Sequence, residues 1–213
     1  LRLPLKMCAQ CRLILAITTL YGGTEPLSQK LMKPTLSYSH PDILYRDDQK
    51  EIVRATSEHA AYLQHHMRDE DKFECSLYDM SPWKALHTPL RWAEAETWTG
   101  VYKGTPVCMF GVCPNEELLN IFGPQVDIGS IWLLGSTYVD TVYRPFLRLS
   151  RLAADHLCRQ YDVVENVVPL QNSKTIMWLT WLGFNFFPQT IKVKDTECVR
   201  FVRCTSDLDV TLD

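Results

Sequence analysis

Hydrophobic positions change their period several times along this chain, and the changes mark its elements. Ile131-Trp132-Leu133-Leu134 is a continuous apolar run stopped by Gly135-Ser136-Thr137, the pattern of a strand buried on both faces. After Pro145, apolar residues recur at Phe146, Leu149, Ala153, Leu157 and Tyr161, which places one stripe along a helix with Pro145 near its first turn. Val163-Val164 and Val167-Val168 form a second short strand closed by Pro169. Asn172-Ser173 suits the start of the next helix, whose apolar face is Ile176, Leu179 and Leu182 and whose stop is Gly183. The unit reads as a strand, a crossover helix, a second strand able to run parallel to the first, and another helix. Ligands often bind at the carboxyl ends of such strands, so the residues just after Leu134 are the first place to look for a site.

The remaining pattern fits around this unit. Residues 51–56 read as a short strand, and Ser57 with Glu58 opens a helix to Met67. Ser81-Pro82 opens another, with Trp83, Leu86, Leu90 and Ala93 at helical spacing, which Pro89 must end, kink or divide. Residues 97–102 and 106–112, joined at Lys103-Gly104-Thr105, form a hairpin. Residues 114–129 make a connection with a short helical turn. After Gly183 comes more strand material, with an antiparallel hairpin around Lys194-Asp195. Residues 1–31 do not resemble the rest of the chain and are expected to be an extension upstream of Met32, poorly ordered. Residues 32–50 are an extended lead-in, and 205–213 an acidic tail expected to fray. The expected fold is therefore one α/β (α+β) domain over residues 51–204, a mixed sheet of six to seven strands flanked by helices.

Composition narrows the function classes. The net charge is −3, from 22 Lys and Arg against 25 Asp and Glu, so no basic excess points to nucleic acid. The longest apolar run, residues 13–20, is broken by Thr18 and Thr19 and falls far short of a membrane helix. With Lys6-Met7 before it, that run superficially resembles a secretion signal, but no small-residue cleavage site follows cleanly. The eight cysteines are irregularly spaced, unlike a small disulfide scaffold, so free buried thiols are expected. Cys8 and Cys11 form one CxxC without a second pair.

The order of elements, with Asn172-Ser-Lys-Thr-Ile-Met-Trp-Leu-Thr-Trp-Leu-Gly183-Phe184, resembles the GNAT acyltransferase superfamily, in which such a helix opens with Asn and ends in Gly-Phe. Within it, Trp132-Leu-Leu-Gly135-Ser136, Phe146-Leu147-Arg148 with Ser150-Arg151, and Glu165-Asn166 are similar to a group found in tailed phages, the internal virion protein A family of short-tailed coliphages. The resemblance implies a phage protein acting in virion morphogenesis, with virion proteins as partners and the virion or host cytoplasm as its place. It also implies a fold whose other members bind acyl-CoA, so acetyl-CoA or CoA is the cofactor to test. A binding scaffold is the first reading, and an N-acyltransferase acting on an amine is the alternative. Two positions depart from active GNAT enzymes. Pro145 and a single Gly135 stand where paired glycines cradle the CoA pyrophosphate. Leu179 stands where many such enzymes carry a Tyr acid.

The residues themselves supply several candidates. Arg144, Arg148 and Arg151 share one helix face and could hold a phosphate, or form a solvated basic face. Leu134, Gly135 and Ser136, with Thr137, either offer backbone to the pantetheine arm or merely turn the chain, and Asn172 belongs to the same candidate site. Asp127 and Glu96 are candidate general bases. His65-His66 with Asp69, Glu70 and Asp71 lacks chelating spacing and reads as a charged helix end, so no metal site is expected. Ser136 lacks the surroundings of a nucleophile. Trp178 either covers the sheet edge or joins a partner surface.

Overall fold

The computed structural model describes residues 42–115, 118–119 and 123–205. The expectations for residues 1–41, Cys8 and Cys11 included, and for the tail beyond Thr205 lie outside the described residues.

The chain runs β1 (Ile43–Arg46), β2 (Lys50–Arg54), α1 (Ser57–His66), α2 (Asp69–Leu77), α3 (Pro82–His87), a short 3-10 turn (Pro89–Arg91), β3 (Glu96–Tyr102) and β4 (Thr105–Pro114). It continues with β5 (Ile128–Gly135), a second 3-10 turn (Thr137–Asp140), α4 (Tyr143–Cys158), β6 (Val163–Pro169), α5 (Ser173–Trp181), β7 (Asn185–Val193) and β8 (Thr196–Cys204). Eight strands form one mixed sheet in the order β1-β2-β3-β4-β5-β6-β8-β7. The fold class is the mixed one expected, with one more strand than the sequence pattern shows. That strand is β1, which pairs Arg46 with Glu51 across a tight turn inside the expected lead-in. Four residues with a register shift leave too little alternation to read.

A second addition is α2. The sequence pattern makes the charged run after Met67 the end of α1, but Met67 and Arg68 are extended (ψ 139° and 152°) and break the helix in two. Asp69, Glu70 and Asp71 then fill the first turn of α2, where negative charge suits the exposed N–H groups. As expected, Pro89 divides the next helical stretch, Asn172 caps α5 through Thr175 N, and Gly183 ends it at φ 88°, a conformation that costs a side-chain-bearing residue strain.

The core lies on both faces of the sheet. Phe110, Leu157, Leu179 and Phe201 pack under α4 and α5, and Leu63, Leu86, Met109 and Trp132 pack under α1 to α3. Adjacent strand residues thus serve opposite faces, which is why residues 131–134 are apolar without alternation.

What positions a site is the one parallel pairing. β5 and β6 pair only at Ile128–Val163, Gly129–Val164 and Ser130–Glu165. Gly129 is required there, because a Cβ would lie 2.6 Å from the Tyr161 ring. Beyond Ser130 the two strands part, and each keeps only its outer neighbour, β4 for β5 and β8 for β6.

Candidate functional site

The notch between the parting strands is built from few polar contacts. At its apex the Asn166 side chain donates to Ile131 O at 2.5 Å and stands in for a strand-to-strand bond. Alternation along β5 then turns the peptide groups of Ile131, Leu133 and Gly135 toward the notch. At the far end Arg68 N donates to Gly135 O at 3.0 Å, and Gly135 N donates to Asp71 Oδ2 at 2.5 Å. Between these two anchors, Leu133 is the peptide presented to the notch.

Asp71 is buried, and Arg68 donates to both of its oxygens, at 2.8 and 3.1 Å. Burial pushes the Asp71 carboxyl up, and Arg68 opposes that shift. One turn further along α2, half-buried Glu74 accepts from Asn172 Nδ2 at 2.8 Å. Desolvation, then the neighbouring Asp71 charge, raises the Glu74 carboxyl to about 7. Asn172 itself is fixed by its capping bond at the carboxyl end of β6, so Glu74 is held across the open end of the notch by a residue 98 positions away. A carboxyl titrating near neutrality beside a cleft can accept a proton at working pH.

The cavity entered through the notch measures about 310 Å³ and is lined by Asp71, Glu74, Leu133, Asn166 and Leu179, among others. A second hollow lies at the start of α4, lined by Tyr102, Lys103, Tyr138, Tyr143, Arg144 and Pro145. Here α4 begins at Val142 without a side-chain cap, and Pro145 brings no N–H. Lys50 lies close by and senses the charge of Arg148.

The residues singled out from the sequence separate into groups. Leu134 lines the cavity and is buried. Ser136 is fully buried, with its N–H and hydroxyl both donating to Val107 O, and accepts from Tyr138 N, so it ends the strand. Arg144 and Arg148 are exposed near the mouth, whereas Arg151 donates to Trp181 O and stacks on the Trp181 ring. Glu96 accepts from Trp98 Nε1 at 2.6 Å and lies 2.8 Å from His156 Nε2, a buried network apart from the cavity. Asp127 lies just before β5, at the end opposite the notch. His65, His66 and Asp69 engage Gln64, Tyr62 O and Lys72 respectively and do not converge. Trp178 packs on Phe146 and donates to Ser150 Oγ, which ties α5 to α4. Sequence reasoning missed Glu74. The helical spacing of Asp71, Cys75 and Tyr78 was the signal that could have placed it on an inward-facing helix.

No family model matches this chain, and no curated protein matches it. Solved structures do. AAC(6')-Ib, an aminoglycoside acetyltransferase, in complex with ribostamycin and coenzyme A, is 13% identical over 74% of this chain and 94% of its own, with a TM-score of 0.56. An uncharacterized protein from Bacillus halodurans is 14% identical over 73% and 83%, with a TM-score of 0.53. An N-acetyltransferase from Staphylococcus aureus is 10% identical over 73% and 97%, with a TM-score of 0.51. At such identities the likeness establishes the fold alone, a mixed sheet flanked by helices that this chain shares with these acetyltransferases.

Proposed function

We propose that the notch between β5 and β6 binds an acyl-CoA and that the chain passes the acyl group to an amine. The observation that carries this reading is the parting of the two strands after Ser130 with Glu74 fixed across the opening. Acyl-CoA supplies an acyl carbon activated as a thioester. The Leu133 peptide turns a donor and an acceptor toward the arm that enters the notch. Lys103 and Arg144 in the second hollow, with exposed Arg148 one turn along α4, stand in for the loop amides that Pro145 and the single Gly135 do not provide, and hold the pyrophosphate by charge. The Glu74 carboxylate takes the proton that the amine loses as its nitrogen bonds to the acyl carbon, and Asn172 positions Glu74. The sulfur leaves as the thiolate and is protonated from solvent, since Leu179 offers no proton. Calorimetric and thermal-shift titration of the full chain with acetyl-CoA and CoA tests the reading. Ligand at about a thousand times its Kd adds roughly 4 kcal/mol of stability, and the absence of any shift would overturn the proposal.

A second reading is favoured by Pro145, by Leu179 and by the bond that already occupies Gly135 N. Here the same shell is a binding scaffold without turnover, a phage internal-virion-type protein whose partners are other virion proteins. Its test is genetic: a phage lacking this chain that still assembles particles and delivers DNA normally removes the reading.

A further inference from the structure

The cavity extends well past the notch. From Leu133 and Leu179 it runs under α4, along Phe146 and Ala153, to Ile52 on β2 and Val107 on β4. In the sheet β2 lies three strands from β5, so this space continues sideways beneath the helix. Its charged lining sits near the ends, at Lys50, Glu51 and Asp140 by β2 and the start of α4 and at Arg68, Asp71, Glu74 and Lys174 by the notch. The Ser150 hydroxyl under α4 already donates to Leu147 O and accepts from Trp178 Nε1. The stretch between is walled by aliphatic and aromatic side chains. A polar arm with amides has few partners there, whereas a hydrocarbon chain needs none.

We infer that the acyl group this chain accepts is an apolar chain of medium length, about eight carbons, lying between α4 and the sheet. The inference rests on the acyl-CoA reading above and extends it from the thioester to the acyl tail. Volume bounds the length: about 310 Å³ is roughly twice the 150 Å³ apolar cavity that admits a benzene ring, and with part of it at the notch taken by the thioester arm the rest holds a chain on the order of eight carbons. An acetyl group would leave the part under α4 unfilled. Apolar lining of this extent left facing water is unfavourable, and an inserted hydrocarbon chain covers it. The helix also keeps the room open, since α4 turns Ala153 and Ala154 to the core between larger Leu149 and Leu157.

The experiment compares acetyl-CoA, octanoyl-CoA and free octanoate by calorimetry on the full chain, in the native protein and in Ala153→Leu, which fills the space. Each added methylene in an apolar site strengthens binding severalfold. Octanoyl-CoA is expected to bind at least about 30-fold tighter than acetyl-CoA, and Ala153→Leu to erase that difference while leaving acetyl-CoA binding unchanged. Where that variant fails to fold, Val107→Leu and the ratio in the native protein serve the same purpose. Equal affinity for the two thioesters would overturn the inference. Binding of octanoate, lost in the filled variant, without binding of either thioester would support the apolar site and refute the acyl-CoA reading. Failure of both octanoyl-CoA and octanoate to bind would overturn the site itself.

Discussion

The two ends of the β5–β6 pair use the same two strands and the same kind of residue to opposite effect. At the closed end Glu165 is fully buried and held by three donors: Asn115 Nδ2 and Ser130 Oγ donate to one oxygen, and Arg200 donates to the other at 2.5 Å. At the open end Glu74 is half-buried and held by Asn172. Burial pushes both carboxyls up, but at Glu165 the Arg200 guanidinium is the first group to oppose the shift, whereas at Glu74 the Asp71 charge adds to it and Arg68 opposes it only weakly after Asn172. A buried carboxylate with both oxygens engaged locks a seam. One with spare capacity beside a cavity can move a proton.

The largest expected effect comes from breaking the closed end. Arg200→Met strands the Glu165 charge in the core and should cost about 3–5 kcal/mol of stability, read by denaturant titration. A cost below about 1 kcal/mol would mean that Glu165 is no lock.

Next is Glu74→Gln, which keeps the acceptor oxygen for Asn172 and should leave the fold intact while acyl transfer falls about 100-fold or more. In the native protein the rate should rise with pH to a midpoint of about 7, and that rise should vanish in the variant. The stability of the two proteins gives the same contrast with its own sign. The folded state holds the Glu74 proton up to about 7 against an ordinary value of 4.5, so the native chain is favoured at low pH and loses that contribution as pH rises through this window. Glu74→Gln should flatten the slope between those pH values.

A smaller change is expected at the mouth. Lys103→Ala or Arg144→Ala should each weaken CoA binding about three- to tenfold, less so at high salt. The smallest is Pro145→Ala, which restores one N–H at the start of α4 and should tighten CoA binding by about two- to threefold. Unchanged affinity in both would place the pyrophosphate elsewhere.

The scaffold of this comparison was readable from the chain. The run at Ile131–Leu134 had to be a strand covered on both faces, and Asn172 and Gly183 bracket α5 with residues whose local chemistry is nearly self-sufficient. The site was not readable in the same way. Met67 and Arg68 break α1 from α2 without a Pro or Gly, so nothing in composition separated the two helices. Glu74 became a candidate only when the fold set it against Asn172, and Gly135 lost its free amide only when α2 brought Asp71 to it. Such pairings depend on packing between distant segments, which a periodicity carries no trace of.

The short parallel seam has a mechanical meaning too. The sheet is two leaves, β1 to β5 and β6 to β8, joined edge to edge over three residue pairs. Parallel pairing holds slightly less per residue than antiparallel pairing. A load applied across the leaves would therefore concentrate on those pairs and on the Asn115 and Ser130 bonds to Glu165 that cross beside them, and the molecule should tear there like a book at its spine, with each leaf still paired within itself.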